Sequence, residues 1–265
     1  MGDLGKRLLS ALIFGPLVVA FFVFLPPTFF LVFLAIVFIL AARELVAMAR
    51  LPFLPVIVFL GGVSLLPLYA GRSEAYAVWL LFAPALYLLF RLLVPGSRSA
   101  SVNSELGRSV AVLVVTQVFL AFPLFSLYRL KEFGRYAPLL LVLIIWASDT
   151  AAYLSGKSIG RHKLAPLISP KKTLEGLAGA IVGAIAVTVL FKNQLGISLQ
   201  WAVLMGFAIG VLGQLGDILE SIGKRMFEVK DSSSLIPGHG GLLDRIDSII
   251  LTAPLMYYCL SGLNA

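Results

Sequence analysis

A single cysteine and two histidines leave these 265 residues little means for thiol or soft-metal chemistry, and only 13% of the chain is charged. Cys259 alone can close no internal disulfide and anchor no thiolate cluster, so disulfide scaffolds and cysteine-rich zinc modules are excluded. The shortage of charge excludes more. A soluble domain carries about 25% charged residues, whereas here 60% of residues are hydrophobic and the mean hydropathy is +1.00. Such a chain cannot cover its apolar surface in water. The apolar runs are continuous and do not alternate, which argues against an outer-membrane barrel. No Walker A loop, zinc-ligand set or Ser-His-Asp arrangement occurs, so P-loop hydrolysis and zinc proteolysis are disfavoured.

What is present reads as an all-α integral membrane protein. Nine apolar segments are expected to span the bilayer, near 8–26, 28–42, 52–70, 75–94, 109–128, 136–156, 174–195, 198–222 and 242–262. Lys6 and Arg7 precede the first, but no small-residue cleavage site follows it, so it reads as a retained span. Alternating the loops leaves Arg72, Arg129, Lys131, Arg135 and Lys192 on one side and the rest of the 21 Lys and Arg on the other, with the N-terminus. The positive-inside rule makes that richer side the cytoplasm, in a bacterial inner membrane. Glycines at 176, 179 and 183 and at 206, 210, 213 and 216 have the spacing that lets helix backbones approach closely in lipid.

Ionisable residues divide the chain in two. Residues 1–135, about five spans, hold few of them away from segment ends and read as scaffold or lipid and oligomer contacts. Residues 136–265, about four spans with two cytoplasmic loops, carry the chemistry. Asp149 lies in an apolar run. Asp217, Glu220, Ser221 and Lys224 are spaced i, i+3, i+4 and i+7, on one helix face. A carboxylate at that depth costs at least a few kcal/mol unless paired or bound to a cation. Lys230 and Asp231 open a loop in which Gly238, His239, Gly240 and Gly241 can turn backbone N–H groups toward a phosphate beside a helix N-terminus. Asp244 and Asp247 follow at i and i+3, within reach of Asp217 if the two helices pack, and Arg245 and His239 can neutralise further charge. Carboxylates from two helices beside a phosphate nest are how proteins hold Mg2+. Ser169-Pro170-Lys171-Lys172-Thr173 reads as a helix start, with Ser169 or Thr173 as cap and Pro170 in the first turn.

The run Ser221-Ile222-Gly223-Lys224-Arg225, then Lys230-Asp231, then Ile236-Pro237-Gly238-His239-Gly240-Gly241-Leu242-Leu243-Asp244-Arg245-Ile246-Asp247 closely resembles the signature of the phosphatidate cytidylyltransferases, or CDP-diacylglycerol synthases. Ser148-Asp149 and the 169–173 stretch resemble the same family, over roughly residues 140–255. The resemblance implies that CTP and phosphatidic acid give CDP-diacylglycerol and pyrophosphate, with Mg2+ required and a second cation conceivable. In that reading Asp217 and Asp244 hold the metal with Asp247, Asp231 and Asp149 nearby. Lys171, Lys172, Lys224, Arg225, His239 and Arg245 form the catalytic set. Ser169, Thr173, Ser221, Lys230, Gly238, Gly240 and Gly241 contact substrate.

Partners are then CTP, phosphatidic acid and membrane lipids, with a homodimer left open and nucleic acid excluded, because the +8 balance is explained by topology and phosphate ligands. Another membrane lipid kinase or phosphotransferase, or a secondary transporter using Asp149 and Asp217 as ion sites, remains an alternative reading. The topology has a direct check: a tag after Ala265 should be accessible to protease from outside the cell and protected from the cytoplasmic side, and the reverse result would invert the assignment.

Overall fold

In hydrocarbon, backbone N–H and C=O groups must be satisfied within the chain, and a helix does so locally. The computed structural model describes residues 15–94, 100–233 and 240–263. Its elements run α1 (Gly15–Phe24), α2 (Pro27–Met48), α3 (Leu54–Val63), α4 (Leu65–Tyr69), α5 (Ser73–Leu93), α6 (Ala100–Val115), α7 (Phe122–Arg129), α8 (Ala137–Ile159), β1 (Lys163–Ala165), β2 (Ser169–Thr173), α9 (Leu174–Leu190), α10 (Leu199–Met226) and α11 (Leu243–Leu263). A π-helical turn, Thr116–Ala121, joins α6 to α7 in one continuous helical run.

Among the described residues, six helices are long and apolar enough to cross a membrane: α2, α5, the α6–α7 unit from Ser104 to Phe133, α8, α10 and α11. Three shorter apolar stretches, Gly15–Phe24, Leu54–Tyr69 and Leu174–Leu190, fall on the remaining apolar segments. The segment expected to stop at residue 42 continues to Met48, so Arg43 and Glu44 are helical and do not lie in a connection. Arg43 faces out whereas Glu44 is buried. The helix continues past a carboxylate because that carboxylate finds partners inside the protein.

The loop before α9 corrects a second expectation. Ser169–Thr173 is a strand, paired antiparallel with Lys163–Ala165, so Ser169 caps no helix and Pro170 lies in no first turn. Proline's fixed φ and missing N–H are compatible with a two-stranded ribbon, in which each strand has a free edge. Thr173 does cap α9, its hydroxyl accepting from Gly176 N at 3.0 Å.

The expected halves share one apolar core. Phe30 and Phe38 of α2, Leu113 of α6, Leu127 of α7, Ile144 of α8, Ile209 of α10 and Met256 of α11 are all sealed within it. Large apolar side chains such as Leu81, Leu92, Val182 and Leu190 point outward, as suits a lipid-facing surface.

Helices α8 to α11 pack in sequence, α9 between α8 and α10, and α10 on α11. The glycine stripes set this spacing. A Cβ at Gly183 would lie 2.8 Å from Ala147 O of α8, and at Gly206 or Gly210 it would lie 2.6 or 2.7 Å from the Cα of Ile185 or Ile181 in α9. Gly216 packs against the Asp247 carbonyl of α11, whereas Gly213 has its nearest neighbour at 3.9 Å. Small-residue packing therefore draws α10 against both neighbours. Gly210→Ala should lower the thermal midpoint of the detergent-purified protein, as overpacking that costs about 1–3 kcal/mol, while Gly213→Ala should leave it nearly unchanged. Equal behaviour of the two would show that backbone contact does not set the helix spacing.

Candidate active site

At one end of the bundle the C-terminal turns of α2, α8 and α10 meet the N-terminal turns of α9 and α11, and the polar side chains gather there in two layers. Asp217 of α10 centres the deeper layer. Its Oδ2 accepts from Lys172 Nζ at 2.7 Å and its Oδ1 from Ser248 Oγ of α11 at 2.7 Å. Lys172 also donates to the Gln214 carbonyl at 3.2 Å, and Gln214 Nε2 donates to Asp149 Oδ1 at 3.1 Å. Asp247 stands near enough to feel the charge of both Asp217 and Asp149, and its own Oδ1 accepts from Ser248 N at 2.8 Å.

Three residues on along the helix, about 4.5 Å along the axis, Glu220 opens the second layer, where Lys224 Nζ bridges Glu220 Oε2 at 2.5 Å and Asp244 Oδ1 at 2.6 Å. Asp244 Oδ2 accepts from Ser232 N at 3.2 Å, Ser232 Oγ at 2.9 Å and Gly241 N at 2.9 Å. All three partners of the bridge are largely buried, at 13%, 5% and 12% side-chain exposure for Lys224, Glu220 and Asp244. The packing of α10 on α11 thus seats Asp217 beside Asp247 and Ser248, and Asp244 beside Lys224 and Ser232.

Strand geometry sorts the two lysines of the 163–173 hairpin. Successive side chains of a strand point to opposite faces, so Lys172 reaches Asp217 while Lys171 is exposed. Arg225, Lys230, Asp231 and Arg245 are exposed at the same end, and Arg225 donates to the Val229 carbonyl at 3.2 Å. Ser221 and Ser169 are half-buried and Thr173 is engaged as a cap. Gly238 and His239 lie outside the described residues. Gly240 holds φ +85°, a left-handed conformation that favours glycine. The N–H of Gly241 was expected to face a phosphate. It is bound instead to Asp244, because the α11 terminus is closed by protein carboxylates.

Glu44 was missed by sequence reasoning. Its carboxylate accepts from Leu242 N and Leu243 N, both at 2.9 Å, from Ser233 Oγ at 2.6 Å and from Ser232 Oγ at 3.0 Å. The available signal was a glutamate with Ala41-Ala42 before it and Leu45-Val46 after it, an ionisable group within an apolar run. Gln214, Ser232 and Ser248 were also passed over.

Among the described residues, no three acidic, histidine or cysteine side chains converge as a ready metal cage. Mg2+ needs none, since it is commonly held by one or two carboxylates with waters and substrate phosphates. The donor set fits that ion: its carboxylates offer oxygen ligands, and buried Glu220 Oε1 has no hydrogen-bond partner among the described residues. Asp247 is repelled by Asp217, Glu220 and Asp149, a further reason for a cation to be welcome there. Lys224 supplies the charge that bridges two closely placed carboxylates, so Lys224→Met should cost on the order of 3–5 kcal/mol, read as a lower thermal midpoint. An unchanged midpoint would mean that the bridge contributes nothing to the fold.

Comparison with known proteins bears on this arrangement. Residues 5–263 match the model of the Cytidylyltransferase family. A phosphatidate cytidylyltransferase of Bacillus subtilis is 38% identical over 184 residues, which cover 68% of this chain and 66% of that protein. One from Staphylococcus aureus is 33% identical over 251 residues, covering 90% of this chain and 94% of its own length, and one from Staphylococcus haemolyticus is 31% identical over 247.

Proposed function

The chain belongs to the cytidylyltransferase family, and from that premise we propose that it transfers the cytidylyl group of CTP to phosphatidic acid, releasing CDP-diacylglycerol and pyrophosphate for phospholipid synthesis. The observation that carries the reading is the two-layer meeting of α10 and α11, where Asp217 and Asp244 are held in place by Lys172 and Lys224. Both substrates are anions, and phosphatidate alone bears about −1.5 to −2 charges at neutral pH. Joining them requires positive charge between them.

In the proposed reaction an oxygen of the phosphatidate phosphate attacks the α-phosphorus of CTP, the new P–O bond forming as the bond to the β,γ-pyrophosphate breaks. The nucleophile is already ionised, so no side chain need remove a proton. Asp217 and Asp247 of the deeper layer, with Asp149 alongside and Asp244 one turn away, would hold Mg2+, which supplies Lewis-acid stabilisation of phosphate charge. Lys172 would hold a phosphate oxygen at that layer. The exposed Lys171, Arg225, Lys230 and Arg245 would guide the triphosphate and the lipid headgroup. Fixing both phosphates in line replaces much of the entropy a bimolecular encounter would lose. The layer of cations lies outermost, which suits substrates arriving from water, and the charge asymmetry of the loops favours the cytoplasmic face of a bacterial inner membrane.

Purified protein given radiolabelled CTP and phosphatidate should place label in chloroform-soluble lipid only when Mg2+ is present. Asp217→Asn should reduce that rate about a hundredfold in folded protein. Near-normal turnover by the variant would overturn the metal assignment, and no labelled lipid from the wild type would overturn the reaction.

A further inference from the structure

Helix α11 begins without a polar cap of its own. The residues leading into it are Gly240, Gly241, Leu242 and Leu243, none with a side-chain oxygen. The N–H groups of Gly241 and Leu242 just before the helix and of Leu243 at its first position must therefore find acceptors elsewhere. Gly241 uses Asp244. Leu242 and Leu243 use Glu44, which reaches them from α2 across a separation of 198 and 199 residues. A carboxylate at a helix N-terminus also meets the positive end of the helix dipole.

Glu44 Oε1 accepts from Leu242 N and Ser233 Oγ, and Oε2 accepts from Leu243 N and shares the one hydroxyl proton of Ser232 with Asp244 Oδ2. A carboxylate oxygen offers about two lone-pair sites, so little capacity remains for a metal ion or a proton in transit. What Glu44 does have is a route to Asp244. Ser232 Oγ lies 3.0 Å from Glu44 Oε2 and 2.9 Å from Asp244 Oδ2, a single hydroxyl between two carboxylates. Gly241 closes the same unit, since a Cβ there would collide with Ser232 Oγ and lie 2.6 Å from Glu44 Oε2.

We infer that Glu44 is a positioning residue for the reaction: from the half of the chain read as scaffold, it fixes the first turn of α11 and, with Ser232, the orientation of Asp244. The inference rests on the proposed placing of Asp244 in a Mg2+-dependent cytidylyl-transfer site. Glu44→Gln is the informative change. Whichever way the amide turns, its NH2 group meets the N–H of Leu242 or Leu243, and neither can accept.

The test compares wild type with Glu44→Gln in detergent by hydrogen exchange of the peptide containing Leu242 and Leu243, by kcat per folded molecule, and by the Mg2+ concentration giving half-maximal rate. Faster exchange at those amides, a kcat lower by about tenfold and a Mg2+ requirement raised by a similar factor are expected. A merely structural residue would lower the thermal midpoint while kcat per folded molecule and Mg2+ dependence stayed within twofold of wild type, and that result overturns the inference, as does unchanged exchange. If Glu44→Gln yields no folded protein, Ser233→Ala decides, because it removes one donor and keeps the charge. It should move kcat and Mg2+ dependence in the same direction by about threefold, and no movement overturns the inference. Should the wild type make no labelled lipid, the proposed reaction fails, while the exchange comparison still reports whether Glu44 caps α11.

Discussion

An ionised carboxylate inside an apolar bundle must be compensated by protein groups or by a cation, because no water is there to do it. The polar end of this molecule is organised by that requirement. Glu44, Asp149, Asp217, Glu220, Asp244 and Asp247 approach one another within helices whose other faces are apolar, and each described partner is a specific answer: Lys172 for Asp217, Lys224 for Glu220 and Asp244, Gln214 for Asp149, backbone N–H groups for Glu44. These answers demand proximity between helices, and proximity demands small residues. Gly206, Gly210 and Gly216 supply it by bringing α10 against the backbones of α9 and α11. The glycine stripes and the acidic cluster are two aspects of one packing problem.

Compensation differs between the layers. The shallower pair, Glu220 and Asp244, has a lysine bridging its carboxylates and a set of hydrogen bonds around Asp244, while Glu220 Oε1 has no hydrogen-bond partner among the described residues. The deeper group has one lysine, Lys172, against Asp217, Asp247 and Asp149. A surplus of negative charge of this kind is the environment in which a divalent cation gains most. Metal binding in the proposed reading is therefore best supported where the protein's own cations are fewest, around Asp217 and Asp247.

Legibility in the sequence followed the range of the interactions. Asp217, Glu220 and Lys224 on one face, and Asp244 and Asp247 at i and i+3, depend only on helical periodicity, and the helices place them as that periodicity requires. The close-packing role of Gly206 and Gly210 was readable for the same reason. Ser169–Thr173 misled because a proline followed by polar residues before an apolar run looks like a helix start, while the competing hairpin depends on Lys163–Ala165, which has no strand pattern in so short a stretch. Segment ends were set by where charge appears, and this placed Arg43 and Glu44 outside a helix that contains both. Glu44 could not be assigned a partner, since its acceptors' donors lie some two hundred positions away; only the capless start of α11 hinted that one was required.

The closed N-terminus of α11 changes where substrate phosphates can be held. A glycine-rich turn running into a helix is ordinarily read as an anion site, because free N–H groups and the dipole favour negative charge. Here the N–H groups of Gly241, Leu242 and Leu243 already serve Asp244 and Glu44. A phosphate arriving at that turn would meet carboxylates with their donors spent, and would be repelled. In the proposed reading side-chain cations would then carry most of the phosphate recognition: Lys172 reaches inward beside the deeper carboxylates, while Lys171, Arg225, Lys230 and Arg245 are exposed around the same end. On this view the glycines serve packing first. Gly240 permits the backbone to turn at φ +85° beside Asp244, and Gly241 leaves room for Glu44 and Ser232. The loop is glycine-rich because two carboxylates need to come close to its backbone.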